Sequence, residues 1–436
     1  MNRDFRSRAI GLVQQVCSDC LPFEDYADLP TCCWWFADSS ATLAVVVEPD
    51  AEKSIMCDVL AYALAWRGDR RLVLICPAGH ESKTMERVPW FTGSVDVYTY
   101  GADDHLSEPV PVPTPEATIA VAQHSKHRKV RPLRTHDLGT MTDQRDLGLE
   151  SLFQVLDEMS GTLTRTGRIT SEAWTCAGQK MLVMQRTKKN VVTITAGVNY
   201  KRSLPAGEDR ALLRTATSDQ PLERGDIEDI RARLEHACKR RLGADPTYAE
   251  HRMQANMFPS GLRAMGMTEV QREYPAYRSG NGGGFIDFLG LDAENRLHVI
   301  ETKANPNDPK LVLQALDYLL WVSANESEIR STMRPHWNRA EPILPVVVDF
   351  VCARRIRSEG DRADDQRLKA FGDAIGPYMA AQVEALSDEV DCRIWLVDDL
   401  TTSPCRPERL QDDEIHESHP WIAKQIRSWP PRRPRA

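Results

Sequence analysis

The strongest hydrophobic pattern lies in the C-terminal half of the chain. Phe285 to Leu291 (FIDFLGL) and Leu297 to Thr302 (LHVIET) are apolar runs of strand length, and the polar Asp292 to Asn295 between them predicts a hairpin. Alternation puts Val299, Glu301 and Lys303 on one face of the second strand and His298, Ile300 and Thr302 on the other. Lys310 to Ser323 (KLVLQALDYLLWVS) is long and apolar enough for a largely buried helix, on which Gln314 and Tyr318 share a face. Pro345 to Cys352 and Cys392 to Asp398 predict further core strands, with a helix from Asp364 to Leu386 between them. Upstream, Tyr248 to Phe258 is helix-like. Asp226 to Leu242 predicts a helix with Asp226 as N-cap, an apolar stripe of Ile227, Ile230, Leu234 and Cys238, and Gly243 as its stop, placed beside the C-terminal core.

In the N-terminal half, the apolar runs Thr42 to Val47 and Arg71 to Cys76 flank a helix-like Glu52 to Trp66, which predicts a β-α-β unit with parallel strands. Ser94 to Tyr100 adds a third strand. The alternating prolines Pro109, Pro111, Pro113 and Pro115 mark an extended linker. Beyond it come an amphipathic helix near Leu147 to Met159 and strands at Lys180 to Gln185 and Asn190 to Ala196. The expected class is α/β: a small α/β sensor, recognition or dimerisation domain (residues 1–108), a Pro-rich and basic linker (109–136), a small α+β connecting region (137–204), an α/β/α C-terminal domain (205–425) and a basic tail (426–436).

The chemistry concentrates on the hairpin. Ionised groups on apolar strands are costly unless they neutralise each other or meet a metal. Two carboxylates, Asp287 and Glu301, with the backbone carbonyl of Thr302 and water, form the hard, oxygen-rich coordination that magnesium or manganese prefers. Such an ion polarises a phosphate and acidifies a bound water, and Lys303 orients that water or offsets developing charge. An isolated E-x-K triplet is common, and most are surface ion pairs. The helix carrying Gln314 and Tyr318 directly after it is what gives the triplet weight. Gly280 to Gly284 is no phosphate loop, because no helix follows it; it lets a substrate backbone or a neighbouring loop approach.

With these residues in view, the text resembles the PD-(D/E)xK nuclease superfamily, in the subgroup with a Q-x-x-x-Y helix as in RecB-type nucleases. Locally it is most similar to the mismatch endonucleases of the NucS/EndoMS type, through Asp287, Leu289-Gly290 with Asp292, Val299 to Lys303, Gln314, Tyr318 and Trp321-Val322. The likeness spans roughly Thr247 to Asn325, and Ile286 stands where the superfamily often has Pro. It implies a restriction-endonuclease-like core and a magnesium-dependent DNA endonuclease. In that reading Asp287 and Glu301 hold metal, Lys303 assists the water, and Gln314 and Tyr318 support the site. It also implies an acid on the preceding helix, for which Glu250 is the candidate, with Gln254 one turn later as the competing position. Phage or plasmid defence and DNA repair are equally compatible roles.

Composition narrows the partners. The chain has 436 residues, a net charge of −8 and 42% hydrophobic residues, which excludes a protein that coats nucleic acid through overall charge. Basic clusters remain: Lys126, Arg128, Lys129 and Arg131 in the linker, and Lys188 and Lys189 at a hairpin tip with Arg186, are phosphate-contact candidates, although most such runs are simply solvated. Eleven scattered cysteines fit a reduced, cytoplasmic setting. Cys17-x-x-Cys20 with Cys32-Cys33 invites a zinc site, but adjacent cysteines make poor tetrahedral partners and no second C-x-x-C follows, so idle thiols are the expectation. No segment of membrane-spanning length is present, and a homodimer or higher homo-oligomer is expected. The competing readings are a non-cleaving nucleic-acid-binding scaffold and a ligand-activated RNase.

Overall fold

Among the described residues three β-sheets organise a fold of mixed α/β class, with α4 (Pro115–His124), α8 (Ser260–Ala264) and α10 (Glu326–Met333) among its shorter helices. The computed structural model describes residues 3–22, 29–38, 41–124, 147–168, 171–176, 179–186, 191–197, 212–242, 249–258, 260–278, 282–304, 308–334, 344–353, 377–397 and 407–410.

The first sheet runs in the order β1 (Leu21–Pro22), β2 (Cys33–Ala37), β3 (Thr42–Val47), β4 (Arg71–Pro77), β5 (Val95–Tyr100). β3, β4 and β5 are parallel, with α2 (Ile55–Arg67) crossing between β3 and β4, as the continuous apolar runs require. Helix α1 (Arg3–Gln14) packs Phe5, Ala9 and Leu12 on one face against Phe36, Val46 and Ile75; α2 covers the other.

The second sheet is an antiparallel meander: β6 (Thr164–Arg168), β7 (Ser171–Cys176), β8 (Gln179–Arg186), β9 (Val192–Ala196) and β10 (Leu212–Ala216). Two helices, α5 (Leu149–Glu158) and α6 (Arg224–Leu242), close its core, where Ile230 and Leu234 meet Leu152, Trp174 and Ile194. This corrects the placement of α6 beside the C-terminal core: its apolar stripe is spent on the meander. Nor is Asp226 the N-cap. The helix starts at Arg224, and Asp226 accepts from Arg214 at 2.6 Å and from the Glu223 N–H at 3.2 Å.

The third sheet has the order β11 (Met267–Arg278), β12 (Gly282–Asp292), β13 (Leu297–Lys303), β14 (Val347–Ala353), β15 (Cys392–Val397), β16 (Glu408–Arg409). β11, β12 and β13 are antiparallel neighbours, and β13, β14 and β15 run parallel. Helix α9 (Leu311–Ala324) lies on the face bearing Val299 and Phe350; α7 (Ala249–Met257) lies on the other, with Met253 and Met257 against Phe288 and Ile300.

The first and third sheets share one core. Leu60 and Leu64 of α2 join the same apolar cluster as Leu316 and Leu320 of α9 and Met379 of α11 (Pro377–Glu384). An apolar surface all round α2 explains this, since such a helix must be covered on both sides. Polar ties reinforce it: Arg87, ending α3 (Ser82–Arg87), makes two 2.8 Å bonds to Asp317, and Gln382 donates to the carbonyls of Ala61 and Pro309 at 2.8 Å. The N-terminal layer is therefore built onto the C-terminal one through a buried interface.

Candidate active site

The β12–β13 ladder runs from Leu291 opposite Leu297 to Phe288 opposite Ile300. One residue further Asp287 takes over the pairing: its Oδ2 accepts from the Thr302 N–H at 2.8 Å and from the Thr302 hydroxyl at 2.7 Å. Because N–H and C=O of a strand residue face the same side, the Thr302 carbonyl also faces the Asp287 strand. At Gly290 of β12 a Cβ would come within 2.6 Å of Met267 Sδ on β11, so the Met267 side chain packs directly over the glycine.

Glu301 is fully buried. Its Oε2 accepts from Gln314 Nε2 at 2.8 Å, and its Oε1 lies 3.4 Å from the Asp287 nitrogen. Lys303 Nζ meets both oxygens of Glu250, at 3.2 and 3.3 Å. Burial alone would lower the Lys303 pKa, but the carboxylates of Glu250, Asp287 and Glu301 outweigh it and hold the ammonium above its usual value. Burial pushes Glu250 up, opposed by Lys303.

Glu250 and Gln254 both contact the hairpin, through different residues. Glu250 reaches Lys303, while the buried Gln254 donates to Thr302 Oγ1 at 2.8 Å and accepts from Arg272 at 3.4 Å. Tyr318 donates its hydroxyl to the Phe285 carbonyl at 2.9 Å, two residues before Asp287. Asp287, Glu301, Thr302, Lys303, Gln314, Tyr318 and Glu250 thus gather around one strand end. The candidates Lys126, Arg128, Lys129, Arg131, Lys188 and Lys189 lie outside the described residues.

Two features escaped the sequence reading. Arg272 joins the site through Gln254 and lies near enough to Asp287 to feel its charge, without any local motif to mark it. Behind the hairpin, the fully buried His298 bridges Asp349 at 2.5 Å and Asp292 at 3.1 Å, and Trp395 donates to Asp349 at 2.6 Å. A histidine inside the apolar run LHVIET was the available signal. Burial would raise Asp292, but the Arg296 N–H, His298 and the Arg296 side chain outweigh it and bring it down to about 2.

Among the described residues, the three potential metal-ligating groups whose donor atoms lie within 4.8 Å of one another are Cys17, Cys20 and Asp38; the carboxylates of Asp287, Glu301 and Glu250 are more widely spaced. No described helix is long and apolar enough to cross a membrane. Comparison with models of known protein families and with curated proteins gives no match.

Proposed function

We propose that the chain is a metal-dependent nuclease hydrolysing phosphodiester bonds in DNA, on a core of the restriction-endonuclease type. The supporting observation is the convergence of Asp287, Glu301 and Lys303 from a hairpin with Glu250 from α7, while Gln314 of α9 holds Glu301. Helices on both faces of a mixed sheet suit that core.

The donors fit magnesium or manganese: Asp287, Glu301 and the Thr302 carbonyl are all hard oxygens, and both carboxylates are oriented by hydrogen bonds from Thr302 and Gln314. A bound ion supplies Lewis-acid activation of phosphate and water. Lys303 contributes a charged donor for the phosphate or attacking water, and Glu250 aims it. Tyr318 steadies the strand that presents Asp287.

The test is incubation of the purified chain with plasmid, duplex, single-stranded and mismatched oligonucleotides in magnesium or manganese, beside Asp287→Ala and Lys303→Ala. Cutting by wild type alone is the expected result; equal cutting by all three rejects the site. Parallel RNA substrates decide the sugar. Sedimentation with DNA tests the dimer that would bring two sites to two strands.

One observation favours a second reading, a non-cleaving DNA-binding scaffold: Lys303 is already neutralised by Glu250. Calorimetric titration with manganese separates the two, since a scaffold would show no Asp287-dependent binding.

A further inference from the structure

In the sequence Cys17-x-x-Cys20 has only the adjacent Cys32-Cys33 to complete a site; the fold brings Asp38 to it instead. Cys17 sits on the turn after α1, its N–H bonded to the Val13 carbonyl at 2.8 Å. Cys20 immediately precedes β1, which pairs Leu21 with Ala37 of β2, so the next step along that ladder sets Cys20 beside Asp38. The two sulfurs lie 2.6 Å apart, and the donor atoms of Cys17, Cys20 and Asp38 all lie within 4.8 Å of one another.

We propose that Cys17, Cys20 and Asp38 bind a thiophilic divalent cation of the zinc class. A soft Cys-x-x-Cys pair and a carboxylate converge on one point from the end of α1, the start of β1 and the end of β2. A disulfide gives Asp38 no part, whereas a cation takes all three groups. Bound zinc would set the sulfurs about 3.8 Å apart, a move of roughly 1 Å that a turn residue and a strand-end residue accommodate. The carboxylate is already oriented: Asp38 Oδ1 accepts from the N–H groups of Ala41 and Thr42, the kind of support that ligating carboxylates receive. Charge also balances. Two thiolates and a carboxylate exceed a divalent cation by one negative charge, and the Arg70 guanidinium is attracted by Asp38 and Cys20. Three protein ligands leave the fourth position to water or a further donor. The cation ties the end of α1 to the edge of the first sheet, and it is independent of the nuclease reading.

The test uses the full chain, purified without chelator, with metal content measured by mass spectrometry and the metal exchanged for cobalt. About one zinc per chain and a thiolate-to-cobalt absorption band are expected, both lost in Cys17→Ser and Cys20→Ser and weakened at least about tenfold in Asp38→Asn. Should the serine variants fail to fold, chelator titration of the wild type decides: two thiols become reactive as zinc leaves. Zinc retained in the Cys17→Ser/Cys20→Ser double variant overturns the proposal. So does a Cys17–Cys20 disulfide in protein that takes up no zinc after reduction.

Discussion

Glu250 grips Lys303 with both carboxylate oxygens, at 3.2 and 3.3 Å, although the two stand 53 residues apart in the chain. Each is costly to bury alone, and each relieves the other. Lys303→Met leaves Glu250 uncompensated and lifts its pKa further above the ordinary carboxylate value. A folded-state pKa above the unfolded one means stability present at low pH and lost as pH rises through it. The variant is therefore expected to lose about 1–2 kcal/mol at neutral pH, and less near pH 4.5. Urea denaturation at the two pH values checks this; a deficit independent of pH would contradict it.

The network behind the hairpin carries the opposite sign. Asp292, brought down to about 2, contributes stability that is present above the unfolded carboxylate pKa and lost as pH falls toward 2. Asp292→Asn should cost about 2 kcal/mol at pH 6, with the gap to wild type narrowing as the solution is acidified. Chemical denaturation from pH 6 to pH 3 measures the gap, and a constant difference would count against the assignment.

Arg87 and Asp317 form the buried tie between the N-terminal layer and helix α9, each about 4% exposed. Arg87→Ala or Asp317→Ala alone should destabilise by about 3–5 kcal/mol, because either leaves a lone buried charge. The double replacement Arg87→Met/Asp317→Leu should recover most of that loss. Thermal and urea unfolding of the three variants tests the coupling; additive losses in the double variant would show that the two do not act as a pair.

On the proposed nuclease, Gln314→Ala removes the donor that orients the buried Glu301 and is expected to lower cleavage about 10–100-fold and stability by about 1–3 kcal/mol. Tyr318→Phe leaves the Phe285 carbonyl without its donor and should cost about 1 kcal/mol of stability with a smaller fall in rate. Single-turnover cleavage beside urea denaturation separates the two; a Gln314→Ala enzyme as fast as wild type rules out its positioning role.

Much of the hairpin was legible without coordinates. Apolar runs, a polar turn and strand alternation located β12, β13 and the face of Glu301, because period-two patterning is local, while Lys303 at the strand end reaches round to Glu250 of α7. The same holds for α9 and for the parallel β3–α2–β4 unit. Helix α6 shows the limit: its stripe predicted a helix, but an apolar stripe does not say which sheet it will cover.

The sequence by itself determined the β12–β13 hairpin, helix α9, the β3–α2–β4 unit and the charges they carry, since those follow from side-chain periodicity over a few residues, whereas β2, β7 and β11 lay outside its predictions. Only the tertiary structure decided that Glu250 reaches Lys303 while Gln254 turns to Thr302, that Asp38 joins Cys17 and Cys20, and that α2 is shared between two layers. These depend on long-range packing, where burial makes every polar group find a partner and the nearest one is set by how the sheets and helices stack.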